Sequence, residues 1–352
     1  MDKILTIIVP AYNMEKYLDR CLSSLIVSEV LMSRFEVLVI NDGSKDKTSE
    51  IAHQYEQDFP ETFRAIDKDN GHYGSCINRG LAEAKGTFIK VLDADDAFDN
   101  QFFREYLEYL GTDIIHERAD VIISDYSEVS TKGILISTIS YSRHNQAFSK
   151  KELTPNDIMA WFIHGLTYRT TMLQKHNYRQ TEGVSYTDLE WSYIPMAWAS
   201  TLFSFDRPLY LYSKGIENQS VSYSIHAKNL WMEIVVLKRI LSYYRNVTCS
   251  SAKNKDSFLQ DRLIIIIEQF YQLCLLTLRK YNPPLESLRD LDFCFKTTCP
   301  EEYSITNRYI TRIAGLKFYP IRTWRGNMRI ALTVQNTIYD LADWFNNFRV
   351  KH

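Results

Sequence analysis

An α/β fold, with a mixed, mainly parallel sheet flanked by helices and a helical C-terminal domain beyond it, is predicted by three features of the sequence. Residues 4–9 (ILTIIV) and 35–40 (FEVLVI) are runs rich in β-branched and aliphatic residues, apolar on both faces as buried parallel strands require. Each passes through a short polar turn into a segment of helical periodicity, and consecutive βα units of this kind build parallel sheets with right-handed crossovers. After about residue 225 helical periodicity dominates.

Taken in order, the first strand is ended by Pro10, and Met14, Leu18, Cys21, Leu22, Leu25 and Ile26 recur at helical spacing behind it. The second strand leads through the turn 41–44 into a helix over 45–59. In a third unit, Asn70-Gly71-His72-Tyr73-Gly74 opens a helix and Lys85-Gly86 closes it as a C-cap glycine. The strand 87–92 then runs straight into Asp93-Ala94-Asp95-Asp96. Residues 119–124 and 134–139 read as further strands, the second alternating and antiparallel. Helical and irregular segments fill 151–200, and 208–212 (PLYLY) is a last strand. The boundary falls near 225, dividing the chain into domains 1–225 and 226–352. In the second, helices over 231–244 and 258–278 are broken at Pro283-Pro284, and two or more helices follow.

Composition narrows the classes. A chain of 352 residues allows about two domains. With 41 Lys+Arg against 43 Asp+Glu it lacks the basic excess of a dedicated nucleic-acid binder. At 24% charged and 13% aromatic it is not a disordered chain. The 23 Tyr and 18 Phe fit a large core or a sugar-stacking cleft equally well. Six scattered cysteines without zinc spacing indicate a reduced, cytoplasmic protein. The apolar stretch near the N-terminus is too short for a signal-peptide core. The run 263–278, interrupted by Glu268, Gln269 and Gln272, falls short of the roughly 20 residues of a membrane span and reads as a buried helix.

Open α/β sheets bind ligands outside the carboxyl ends of their strands, which directs attention to 10–13, 41–44 and 93–96. No GxGxxG follows the first strand and no GxxxxGK[ST] occurs, so dinucleotide and P-loop readings lose their main signal. Asp93, Asp95 and Asp96 are poor direct partners for a phosphate but good ones with Mg²⁺ or Mn²⁺ between. A nucleotide diphosphate bridged by a metal fits. Taken singly, Asn41-Asp42-Gly43-Ser44 is also a common turn and DxDD a common helix start.

Order and context add to this. IIVPAYN, then FEVLVINDGSKDKT, then NGHYGSCINRGLAEAKGTFIKVLDADD resemble the motifs of the bacterial, nucleotide-sugar-dependent inverting glycosyltransferases of family 2, which have the GT-A (Rossmann-like) fold. Downstream, Tyr186-Thr187-Asp188-Leu189-Glu190-Trp191 is similar to the family's acidic motif, usually Glu-Asp and an aromatic, whose Asp is the catalytic base. Thr187 replaces the first acidic residue here. The resemblance covers residues 1–225 and implies Asp188 as base, with Glu190 as the competing candidate. It places Pro10, Ala11, Tyr12 and Asn13 around the nucleotide, Asp42 on the nucleobase, and Asn70, Gly71 and Gly74 in a loop closing over the donor. Asp93 and Ala94 fall on the ribose or sugar side, and Asp95 on the metal, Mn²⁺ or Mg²⁺, with Asp96 a second candidate.

Around Asp188, His164, Trp191 and Glu190 are candidates for the acceptor side, whereas Trp161 and Trp198 read as core. Lys214 and His226, flanking 217–222, are candidates for the phosphate side. From Ser304 to His352, Arg308, Arg312, Lys317, Arg322, Arg325, Arg329, Arg349 and Lys351 outnumber Asp340 and Asp343, with Tyr303, Tyr309, Phe318, Tyr319 and Trp324 interleaved. That pattern suits either a basic amphipathic surface for an anionic membrane or a protein partner, including a second copy, or a solvated face over inward aromatics. The expected function is metal-dependent, inverting transfer of a hexose or N-acetylhexosamine from a UDP-sugar to an acceptor hydroxyl on a bacterial surface glycan, glycolipid or glycoprotein. The expected location is cytoplasmic, with the inner face of the membrane as the peripheral variant. The alternative is a non-catalytic sugar-nucleotide-binding or scaffold subunit of a glycosylation complex.

Overall fold

The computed structural model describes residues 3–144, 146–215, 223–250, 256–277, 281, 285–313, 316–327, 333 and 337. The chain divides into two compact units, Met1–Glu217 and Asn218–His352.

In the first unit, β1 (Leu5–Ala11), β2 (Phe35–Asn41), β3 (Phe63–Asp67) and β4 (Phe88–Val91) pair in parallel in the order β3-β2-β1-β4. β1, β2 and β4 are buried along their whole length, which accounts for aliphatic residues on both faces. The helices Thr48–Asp58 and His72–Glu83 connect β2 to β3 and β3 to β4. The sheet then becomes mixed. β5 (Ala97–Phe98), β6 (Val121–Ser130), β7 (Leu135–Ile139), β8 (Leu166–Arg169) and β9 (Leu202–Lys214) extend it to the order β3-β2-β1-β4-β8-β6-β9-β5, with β7 paired to β6. β8 is antiparallel to both β4 and β6, and β9 is parallel to β6.

Several expectations are corrected. Pro10 does not end β1: it pairs in register with Ile40, and the ladder to β4 has already stopped at Ile8↔Val91. A residue lacking an N–H is tolerated beyond that point. β9 likewise starts at Leu202 rather than at Pro208, which falls where the β6–β9 register shifts between Ser124 and Tyr126. β3 and β8 lie where the sequence pattern predicts no strand. Each is short and carries polar residues, so its pattern is weak. Gly86 is not a C-cap, because the helix ends at Ala84 in an extended conformation. A Cβ on Gly86 would lie 2.4 Å from the Thr6 backbone nitrogen, so the glycine lets the incoming chain pass against β1.

In the second unit, the helices Tyr223–Ser250, Ser257–Gln272, Leu285–Thr298, Pro300–Thr306 and Pro320–Arg325 surround a core that includes Leu237, Leu241, Leu263, Phe270 and Leu288. An antiparallel pair, Thr311–Ile313 with Leu316–Phe318, interrupts the all-helical pattern expected there. Arg325 points inward: its guanidinium lies 3.6 Å from the Tyr303 ring centroid and donates to Asp292 Oδ1 at 2.7 Å. Arg325 therefore joins neither the basic surface nor the solvated face expected of the tail. Arg329, Arg349, Lys351, Asp340, Asp343 and the segment 217–222 lie outside the described residues. Among the described residues, no helix is long and apolar enough to cross a membrane.

Candidate active site

Three loops leave the carboxyl ends of β1, β2 and β4 side by side. The first two are stapled together. Asn13 N donates to Ser44 Oγ at 2.9 Å, Lys45 N to Asn13 Oδ1 at 2.8 Å, and Met14 N to Thr48 Oγ1 at 2.7 Å. Asn13 takes a positive φ of 56° to make this turn. Ala11 is buried, and its carbonyl accepts from Asp42 N at 2.9 Å. Tyr12 beside it is 48% exposed and offers an open aromatic face.

Asp42 is held from the loop that follows β3. Its Oδ1 accepts from Lys68 Nζ at 2.5 Å and from Gly71 N at 2.9 Å, while its carbonyl accepts from Asn70 Nδ2 at 2.9 Å. Lys68 Nζ is itself fixed by Ser75 Oγ at 2.8 Å and the Asp69 carbonyl at 2.6 Å. Asn70 and Gly71 therefore lie against Asp42. Lys68 is an addition that only the fold reveals. Gly74 lets the following helix meet the chain at 181, since a Cβ there would lie 2.0 Å from the Thr181 carbonyl oxygen.

The acidic turn after β4 is cross-braced from β9. Tyr210 Oη donates to Asp96 Oδ2 at 2.7 Å and accepts from Asp93 N at 3.1 Å, and Ser213 N donates to Asp96 Oδ1 at 2.7 Å. Tyr73 Oη donates to Asp93 Oδ1 at 2.7 Å. Arg20 reaches the Asp95 carbonyl oxygen at 2.8 Å and also bonds Ser213 Oγ. Burial, reinforced by the charge of Asp95, pushes the Asp93 carboxyl up to about 7, and burial with the charges of Asp95 and Asp93 drives Asp96 well above the carboxylate range. Ala94 is buried between them.

Asp188 opens the helix Asp188–Tyr193 and is half-buried. Its charge raises the proton affinity of Asp93, Tyr73 and Tyr212, which puts it in the same cleft as the acidic turn. Tyr186, two residues earlier, has a φ of 67°, and His72 in the Asn70 loop has 64°. Three of the motifs thus carry a residue in the left-handed region, a strain commonly found at functional sites. Thr187 is fully buried, and its hydroxyl donates to Gln180 Oε1 at 2.8 Å, a structural use for the residue that departs from the acidic pattern.

The competing base and the acceptor-side candidates need correction. Glu190 is sealed in the core, accepting from Thr181 N at 2.8 Å and Thr181 Oγ1 at 2.6 Å, so its carboxylate clasps the chain rather than facing a substrate. Because both oxygens accept, Glu190→Gln is expected to lower stability by about 1–3 kcal/mol, read as a lower urea midpoint. Trp191 is also fully buried, edge-on to Tyr168 and Tyr178, and presents no face to a sugar. His164, expected on the acceptor side, lies against Asp93 and Asp96 instead: one donor atom from each of the three falls within 4.8 Å of the others. Burial, with the charge of Lys90 behind it, pulls the His164 ring down to about 3. Lys214 is paired with Glu128 at 2.5 Å, and His226, in the second unit, with Glu233 at 2.6 Å. Each of these contacts is a structural use distinct from the phosphate role expected of it.

The Glycosyl transferase family 2 model matches residues 6–164. The uncharacterized glycosyltransferase MG025 homolog of Mycoplasma pneumoniae is 35% identical over 114 residues, 32% of this chain and 38% of that protein. The chain spans less than two thirds of the length of the first relatives it matches. Among solved structures, S. aureus TarS 1–349 in complex with UDP-GlcNAc superposes with a TM-score of 0.54 at 19% identity, covering 89% of this chain and 95% of that one. The mannosyltransferase PcManGT of Pyrobaculum calidifontis, in complex with GDP-Man and Mn²⁺, gives 0.50 at 12% identity, covering 96% and 88%. These two likenesses show the fold, which is GT-A. The matched stretch, residues 6–164, carries its motifs at the ends of β1, β2 and β4, and this part of the chain is similar to family 2 of the glycosyltransferases.

Proposed function

We propose that the first unit transfers a hexose or N-acetylhexosamine from a UDP-sugar to an acceptor hydroxyl with inversion, using a divalent metal and Asp188 as general base. The observation that carries this reading is the placement of Asp188 beside the Asp93–Asp95–Asp96 turn. An acceptor hydroxyl with a pKa far above 7 must lose its proton as it attacks the anomeric carbon, and a positioned carboxylate takes it. Attack opposite the leaving group turns an α-linked donor into a β-glycoside. A bound metal would neutralise the charge developing on the departing diphosphate. The carboxylates of Asp93, Asp95 and Asp96 are the groups that would hold it.

Further support comes from the nucleotide side. Asp42 has one oxygen committed to Lys68 and Gly71, and its carboxylate is the group that would accept a single N–H such as that of uracil. Tyr12 offers a face for the base. The UDP-GlcNAc complex of TarS and the Mn²⁺ complex of PcManGT support this choice of donor and ion. The acceptor, a bacterial surface glycan, glycolipid or glycoprotein, belongs to the same proposal.

A thermal-shift screen of nucleotide sugars with Mn²⁺ tests it, because a ligand that binds only the native state raises its stability in proportion to the logarithm of concentration over Kd. UDP-sugars are expected to raise the melting temperature; a shift with GDP- or CMP-sugars and none with UDP-sugars contradicts the donor assignment. Lys68→Met is expected to weaken UDP binding about tenfold, the equivalent of one lost charged hydrogen bond at Asp42. Calorimetry with UDP checks it.

A further inference from the structure

His164 is fixed from both ends. It lies in the one-turn segment Ile163–Gly165 just before β8, and the fully buried Lys90 on β4 donates to its carbonyl at 2.8 Å. Its ring is walled by Tyr126, Tyr210 and Tyr212, with centroids at 5.1, 4.8 and 4.5 Å. Nδ1 is shut off from solvent and hydrogen-bonds no protein atom. A buried ring nitrogen is normally paired, so an unpaired one on a ring held beside two carboxylates calls for a partner the protein does not supply.

The spacing says what that partner is. One ring nitrogen of His164 and one oxygen each of Asp93 and Asp96 lie within 4.8 Å of one another. An octahedral ion with bonds near 2.1 Å sets its ligands about 3 Å apart when adjacent and about 4.2 Å when opposite, so small side-chain shifts close the site. We propose that His164 is a ligand of the donor-site metal together with Asp93 and Asp96, and that its imidazole makes the site prefer Mn²⁺ to Mg²⁺. The inference rests on the metal-bearing cleft proposed above and deepens it. Mg²⁺ takes oxygen ligands and gives up its waters reluctantly, whereas a later first-row ion accepts imidazole nitrogen beside carboxylate oxygen. Lys90 serves as a positioning residue, holding the backbone that carries the ring.

The test uses the intact protein and Mn²⁺ alone. Electron spin echo envelope modulation of the wild-type Mn²⁺ complex is expected to show a directly bonded ¹⁴N; a spectrum with oxygen ligands only overturns the proposal. His164→Gln is expected to remove that coupling and to weaken Mn²⁺ binding about tenfold or more, with Mg²⁺ binding little changed. Unaltered Mn²⁺ affinity in a folded His164→Gln protein also overturns it. If that variant does not fold, the wild-type spectrum decides. Calorimetry with UDP and Mg²⁺ in place of Mn²⁺ reports the donor site separately. Failure to bind UDP there strikes the donor reading and leaves the nitrogen signal to judge His164.

Discussion

Asp188→Asn is expected to lower sugar transfer by about 10²–10⁴-fold, the usual contribution of a general base, while UDP binds as it does to the wild type. The amide keeps the size and hydrogen-bonding reach of the carboxylate but cannot take a proton. Asp188 is the first residue of a short helix and half-buried, so the change leaves the packing of Trp191 and Tyr193 behind it intact. Steady-state turnover and UDP calorimetry on the same preparation separate the two effects. Turnover at the wild-type rate would move the base elsewhere, and Glu190 is poorly placed to replace it because both its oxygens are occupied by Thr181.

Removal of divalent metal is the second large effect. EDTA is expected to reduce transfer by about 10³-fold or more, since charge stabilisation at a leaving diphosphate amounts to several kcal/mol and each 1.4 kcal/mol is a factor of ten. Added Mn²⁺ should restore the rate. The physical reason lies in the acidic turn: Asp93, Asp95, Asp96 and Asp188 share a cleft in which burial and mutual repulsion already raise the proton affinity of Asp93 and Asp96. An anionic diphosphate added to that cleft without a cation meets like charge. Turnover that persists in EDTA at the same rate would mean that the protein neutralises the leaving group by other means.

Much of this is legible in the amino-acid sequence. Long apolar runs with a polar turn behind them locate β1, β2 and β4, and because ligands sit at the ends of such strands, Tyr12, Asp42 and Asp93–Asp96 stand out by position alone. What escapes the sequence depends on distance along the chain or on burial. Tyr210 and Ser213 brace Asp96 from 114 and 117 residues away, and no local pattern announces that pairing. β8 is four residues long and β3 five, too short for periodicity to separate from loop. Trp191 and Glu190 sit within three residues of the base yet face the core, because a helix opening at Asp188 turns these positions away from the cleft. A sequence shows that an aromatic or a carboxylate is nearby; only the fold shows which way it looks. Lys68 carries no signal, since a lysine in a polar loop is ordinarily solvated, and His164 carries one that points to the wrong partner.

The central claim is that this cleft inverts an α-linked UDP-sugar with Asp188 as base, and proton NMR of the reaction mixture tests it most directly. With Mn²⁺, an α-linked UDP-hexose or UDP-N-acetylhexosamine and a glycan acceptor, the donor's anomeric signal is predicted to fall as free UDP and a β-linked anomeric signal rise together. A product with an α-linkage, or no consumption of any UDP-sugar under these conditions, would contradict it.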